Sequence, residues 1–214
     1  MEIWHIGHSC FKIKGKNAII VTDPFDPKMI GLKFPSLDAD IVTISHDHKD
    51  HNYTANINGS PIILNAPGEY EIKGVKIRGI KSFHDNNNGI NLGKNIIFEI
   101  SIDGINILHL GDLGHKLETD RVSNIKTPDI LFIPIGGEYT LDAKQAYEVT
   151  TKLEPSIVIP MHYKDERGSK EVFEKIGELS AFTKLFGEKP ILSQPKLTIS
   201  KDKIPQEMQI VTLV

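Results

Sequence analysis

The chain has 214 residues, with 25 Lys and Arg against 28 Asp and Glu, a net charge of −3 and a single cysteine, Cys10. This length suits one large domain, 1–214, that buries its core without an internal disulfide. The balanced charge argues against a broad basic face for nucleic acid, and no apolar run reaches the roughly 18 residues of a membrane span.

The N-terminal part reads as a strand meander. Segments 3–6, 9–13 and 18–22 are short, rich in β-branched residues and separated by Gly and charged turns. Asp23-Pro24 ends it. A second strand-rich stretch includes 62–64, 75–80, 96–102 and 105–110, with Asp103-Gly104 as a hairpin turn. Helical periodicity comes later. Ala143, Ala146, Tyr147, Val149 and Leu153 predict a helix over 142–153 that Pro155 stops. Val172, Phe173, Ile176 and Leu179 predict another over 169–179, with Ser169 as N-cap. Residues 117–125 are a third candidate helix. The tail returns to strand at 196–199 and 209–214. No targeting segment precedes the first strand, and the lone cysteine fits a reducing compartment, so a cytoplasmic protein is expected.

Several apolar strands end at unusual polar residues. The run 40–45 leads into His46, 105–111 into Asp112, 129–135 into Gly136-Gly137, and 155–161 into His162. Near-continuous apolar strands are buried on both faces. Layered α/β folds place ligands at the carboxyl ends of such strands. His46, Asp112 and His162 are therefore expected to converge at one edge.

Nine histidines are present, and three fall in the run His46-Asp47-His48-Lys49-Asp50-His51. Neutral imidazole is the commonest side-chain metal ligand. At a strand end alternate residues point the same way, so His46 and His48 can face one point. The following turn then swings Asp50 and His51 toward a neighbouring point, and one loop can serve two adjacent ions. Asp112, in Leu110-Gly111-Asp112-Leu113-Gly114, suits a bridge, because a carboxylate has two oxygens and the glycines permit a tight turn. His84, in Ser82-Phe83-His84-Asp85, and His162, in Pro160-Met161-His162-Tyr163, are further candidate donors. Asp47 and Lys49 are spacers.

These motifs, in this order, resemble the metallo-β-lactamase superfamily: Asp23-Pro24, the His-x-His-x-Asp-His run, His84, Gly111-Asp112 and His162. The resemblance spans nearly the whole chain. It implies a four-layer αβ/βα sandwich, an α/β fold with the metal site at one edge. It also implies His46, His48 and His84 at one ion, Asp50, His51 and His162 at the other, Asp112 bridging them, and Asp23 as a loop-organising residue. Gly7-His8-Ser9, Pro67-Gly68-Glu69-Tyr70-Glu71, His109-Leu110-Gly111-Asp112 and Pro134-Ile135-Gly136-Gly137 look closest to a small cytoplasmic branch that includes ascorbate-6-phosphate lactonase-like hydrolases. His8 and Glu69 are possible additional ligands.

The expected chemistry is hydrolysis of a small ester, lactone or phosphoester by a metal-bound hydroxide. Asp50 would be both ligand and proton acceptor, and His8 an oxyanion-side group. Two divalent ions are expected; zinc suits the imidazoles and manganese the carboxylates. The alternatives are a nuclease or phosphodiesterase, and a non-catalytic metal-binding sensor or scaffold. Related nucleases carry an inserted clamp domain or RNA-binding arm for which 214 residues leave no room. The expected partner is a small-molecule substrate, with no nucleic acid or membrane; a homo-oligomer is compatible with the sequence. Lys49, Tyr70, 86–88, Tyr139, Tyr163 and Lys164 are candidate pocket residues.

Overall fold

The computed structural model describes residues 1–117, 125–187 and 189–214. Two sheets hold most of the strands. The six-stranded sheet runs, edge to edge, β15 (Leu197–Thr198), β1 (Glu2–Gly7), β2 (Cys10–Lys14), β3 (Ile19–Thr22), β5 (Ile41–Thr43) and β7 (Ile62–Leu64). The eight-stranded sheet runs β14 (Ile191–Gln194), β16 (Gln209–Leu213), β13 (Ile157–Met161), β12 (Ile130–Pro134), β11 (Ile105–His109), β10 (Lys94–Ile102), β9 (Val75–Phe83) and β8 (Gly68–Ile72). A short parallel pair joins Leu37–Asp38 to Ile57–Asn58.

The period of two in the apolar strands sorts their side chains between layers. From β12, Ile130 and Phe132 enter the core between the sheets, where they meet Ile3, Ile13, Ile20 and Phe11 of the facing sheet. Leu131 and Ile133 point the other way, into a second core with Ala146, Val149 and Leu153 of the helix Ala143–Leu153. Outside the six-stranded sheet, Val21 and Val42 pack against Phe25, Ile30, Phe34, Phe173 and Ile176. The result is the expected four-layer αβ/βα sandwich, although the layer over the smaller sheet is built from loops and single helical turns.

The helix expected over 142–153 forms at Ala143–Leu153, started by a capping box in which Asp142 and Gln145 bond each other's backbone N–H. Asp103 and Gly104 both adopt positive φ, at 54° and 78°, as a tight hairpin turn requires. The helix expected over 169–179 does not form as one piece. It is a single turn at Lys170–Phe173, followed by a separate turn at Leu179–Thr183. Gly177 explains the break: its N–H donates to Gly136 and its carbonyl accepts from Lys164, so tertiary bonds take the groups a continuous helix would use. Part of the third expected helix, residues 118–124, lies outside the described residues. The edge strands β8 and β14 were not expected from the sequence.

Strand direction collects the site. Two antiparallel steps separate β1 from β3, and β3 runs parallel to β5, so β1 and β5 point the same way. By the same count β9 runs with β11, which is parallel to β12 and β13. The bond from the His162 N–H to the His8 carbonyl joins the two sets of strand ends, so His8, His46, His84, Asp112 and His162 all follow strands that end at one edge.

Candidate metal centre

The six-residue run begins just beyond β5. His46 and His51 are buried there, while His48 is exposed. Asp23, fully buried at the end of β3, organises the loop. Its carboxylate accepts from the Ser45 N–H at 2.8 Å, from the Ser45 hydroxyl at 2.6 Å and from His51 Nδ1 at 2.9 Å. The Ser45 oxygen then accepts from His46 Nδ1 at 2.9 Å. Both rings are thereby held at Nδ1 with Nε2 turned toward the site, the arrangement in which a hydrogen-bond partner behind a ring orients it for a metal.

Asp112 lies at the centre. Its Oδ2 is 3.2 Å from His51 Nε2, 3.1 Å from His162 Nε2, 3.3 Å from His84 Nε2 and 4.0 Å from His46 Nε2. Asn95, fully buried, holds the turn that carries it. Its Oδ1 accepts from the Asp112 N–H at 3.0 Å, and its Nδ2 donates to the Leu110 carbonyl and to Ser82 Oγ. Only glycine fits at 111: φ is +54°, and a Cβ would lie 2.4 Å from Asn95 Oδ1 and 2.5 Å from the Ser45 Cβ.

The donors form two groups. His46, His48 and His84 make one; His8, Asp50, His51 and His162 make the other; within each, the ligand atoms lie within 4.8 Å of one another. Asp112 joins His46 and His51 in a third overlapping set. The run thus splits as its spacing suggests. Glu69 is not brought in: it is exposed on the edge strand β8, paired opposite Arg78. Arg78 precedes His84 by six residues of extended chain, roughly 20 Å. Glu69, a possible extra ligand by sequence, therefore stands outside both donor groups.

The cluster suits a divalent cation. Buried His46 Nε2 and Asp112 Oδ1 have no hydrogen-bond partner, and an unmet buried polar atom costs about 1–3 kcal/mol. Charge coupling is strong. Burial would raise the Asp112 carboxyl, but the charges of His162 and His51 overrule it and hold it well below its usual range. Burial disfavours charge on His51, yet Asp112 and Asp50 hold its imidazole protonated well above the ordinary value. Asp50 follows Asp112, with burial overruled by His51 and His8. Burial, aided by the nearby His51 charge, pushes His46 down to about 3. Burial and His162 push His8 down to about 4. Ionised carboxylates and neutral imidazoles bind metal, so His8 and His46 are in the binding form while His51 must give up a proton.

Sequence reasoning missed several supports. His109, fully buried, donates from Nε2 to the Ser9 carbonyl at 3.0 Å and accepts on Nδ1 from the Gly111 N–H at 3.1 Å. It ties the residue beside His8 to the residue beside Asp112. His5 Nε2 donates to the His8 carbonyl at 2.9 Å. The local signals were the number of histidines and the His109-Leu110-Gly111-Asp112 motif, neither of which gives a contact.

A cavity of about 270 Å³ touches the cluster, lined by His8, His162, Tyr163, Lys164 and Arg167 among others. A larger one of about 460 Å³ lies on the outer sheet face beside Glu69, Tyr70 and Arg78, and none of the clustered donors lines it. Neither is lined by Lys49, Tyr139 or 86–88. Among the described residues no helix is long and apolar enough to cross a membrane.

Comparison with known proteins agrees with this geometry. A family model described as a beta-lactamase superfamily domain matches residues 2–162. A UPF0173 metal-dependent hydrolase of Thermoplasma acidophilum is 31% identical over 186 residues, covering 75% of this chain and 82% of the relative. A crystal structure from Thermotoga maritima, assigned to the Zn-dependent hydrolases of the metallo-β-lactamase superfamily, superposes with a TM-score of 0.81 at 37% identity, covering 99% of this chain and 97% of the other. A metallo hydrolase of Ignicoccus hospitalis gives a TM-score of 0.63 at 25% identity, covering 82% and 85%. From its matched motifs, its sandwich and these relatives, this chain belongs to the metallo-β-lactamase superfamily.

Proposed function

We propose that this protein is a metal-dependent hydrolase acting on a small ester, lactone or phosphoester. The observation that carries it is the pair of donor groups meeting at Asp112 Oδ2. His46, His48 and His84 would hold one divalent ion, and Asp50, His51 and His162 the other, with Asp112 shared. Zinc or manganese would suit these donors. Bound there, the ions supply an activated water and Lewis-acid stabilisation of the charge that develops on the substrate oxygen.

The chain's own residues do the rest. Asp50 engages His8 and His51 through Oδ2, at 3.3 and 3.6 Å, and its carboxylate would serve as the proton acceptor. The 270 Å³ cavity beside His8 and His162 supports a small substrate over a polymer. Tyr163 and Lys164 stand in its wall to orient that substrate. A panel of lactones, carboxylic esters, phosphomonoesters and phosphodiesters, offered to zinc- or manganese-loaded protein, tests the reading. Turnover that Asp50→Asn lowers by about 100-fold or more is expected, within the range for general base catalysis. Fully loaded protein that turns over none of them better than Asp50→Asn would leave a non-catalytic metal-binding protein as the better description.

A further inference from the structure

We propose that His8 is a metal ligand, and that it makes the two half-sites unequal. The half built on His8, Asp50, His51 and His162, with Asp112 shared, takes the first ion and retains it. The half built on His46, His48 and His84 is the exchangeable one. This rests on the metal reading of the site but not on its hydrolytic activity.

The distances are those of one coordination shell. Bonds of about 2.0–2.2 Å to a single centre place neighbouring donors roughly 3–3.5 Å apart. His8 Nε2 to Asp50 Oδ2 is 3.3 Å, and Asp50 Oδ2 to His51 Nε2 is 3.6 Å. From there, His51 Nε2 to Asp112 Oδ2 is 3.2 Å, and Asp112 Oδ2 to His162 Nε2 is 3.1 Å. The His8 and His162 rings close the circle, their centroids 4.0 Å apart. His8 thus occupies a vertex equivalent to that of His162.

The backbone of His8 is built to aim its ring. Its φ is +53°, a left-handed conformation that costs a non-glycine residue about 1–2 kcal/mol. Two donors hold its carbonyl in place: His5 Nε2 at 2.9 Å and the His162 N–H at 3.1 Å. The side chain is fully buried, with Nε2 turned toward Asp50. A histidine serving only as a hydrogen-bond donor to Asp50 needs neither that conformation nor a place in a ring of donors.

The other half is poorer. Beyond the shared Asp112 its donors are imidazoles alone, and His48 is exposed. Ordering an exposed side chain costs entropy on binding, whereas His8, His51 and His162 are already fixed.

The test uses full-length protein stripped with a chelator and titrated with Co2+. Native mass spectrometry gives stoichiometry, and visible absorption follows each step. Two sequential equivalents are expected, the second at least tenfold weaker. His8→Ala should weaken the first step tenfold or more and leave two equivalents bound at saturation. His48→Ala should abolish the second step and leave the first unchanged. His8→Gln separates the roles, because glutamine can donate to Asp50 but offers no imidazole nitrogen; it should behave like His8→Ala. Circular dichroism checks that each variant is folded. If His8→Gln binds as the parent does, or if the two equivalents bind alike in the parent, His8 is not a ligand of a preferred half-site. Failure of that kind leaves the hydrolase reading intact, since turnover by fully loaded protein is measured separately.

Discussion

The carbonyl of His8 accepts from the backbone N–H of His162 at 3.1 Å, and the two residues share a left-handed backbone, at φ +53° and +51°. His8 follows a strand of the six-stranded sheet and His162 a strand of the eight-stranded sheet. This bond is therefore a clasp between the two halves of the sandwich at the edge where the donors meet. His5 bonds the same carbonyl and stacks on Phe11 at 4.7 Å.

His5→Phe tests the clasp. The ring stack is kept and the Nε2 donor is lost, leaving His162 as the remaining donor to the His8 carbonyl. A loss of about 1 kcal/mol in urea unfolding is expected, the usual worth of one hydrogen bond. The first Co2+ equivalent should weaken with it. An unchanged first equivalent would mean that His5 does not help to position His8.

Asp23→Ala should be far more damaging. It removes the acceptor for His51 Nδ1 and for both donors of Ser45, in a fully buried position. Breaking a buried charged pair from one side costs about 3–5 kcal/mol. Loss of the carboxylate behind a ligating histidine lowers metal affinity about 10–100-fold. Denaturant unfolding and metal titration measure the two effects; wild-type values in both would remove Asp23 from the support of the site.

The raised pKa of His51 predicts proton release on metal binding. Asp112 and Asp50 hold its imidazole protonated in the metal-free fold above the ordinary value of 6.5. Its contribution to metal-free stability is complete below pH 6.5 and is lost as pH rises through the higher folded value. A cation at Nε2 must displace that proton, so affinity should fall as pH falls. Calorimetry in buffers of different ionisation enthalpy should record about one proton released near neutral pH. Buffer-independent heats would contradict this account.

Asp85 organises the loop after His84 and should fail only in strong acid. Its carboxylate accepts the backbone N–H groups of Leu92, Gly89, Asn87 and Asn91, which lower it from 3.8 to about 2. The stabilisation is complete above pH 3.8 and is lost as pH falls through about 2. Hydrogen exchange at Gly89 and Leu92 should accelerate across that window and be fast at every pH in Asp85→Ala. Equal protection in the variant would show that the loop is held by other contacts.

The sequence by itself determined what contiguous residues can encode. The burial of β12 and β13 on both faces, the capping box at Asp142 and the Asp103-Gly104 hairpin each depend on patterns within a few residues. So does the division of the six-residue run between two donor groups. Tertiary structure decided whatever depends on distant chain. It placed His8 inside a donor group and Glu69 on an outer edge strand, although both lay in motifs of equal promise. It broke the 169–179 helix by engaging Gly177 with Gly136 and Lys164. It also gave Asn95 and His109 their roles behind Asp112. A buried polar side chain is useful only through the partner that satisfies it, and that partner lies on another strand, at a separation no local pattern records.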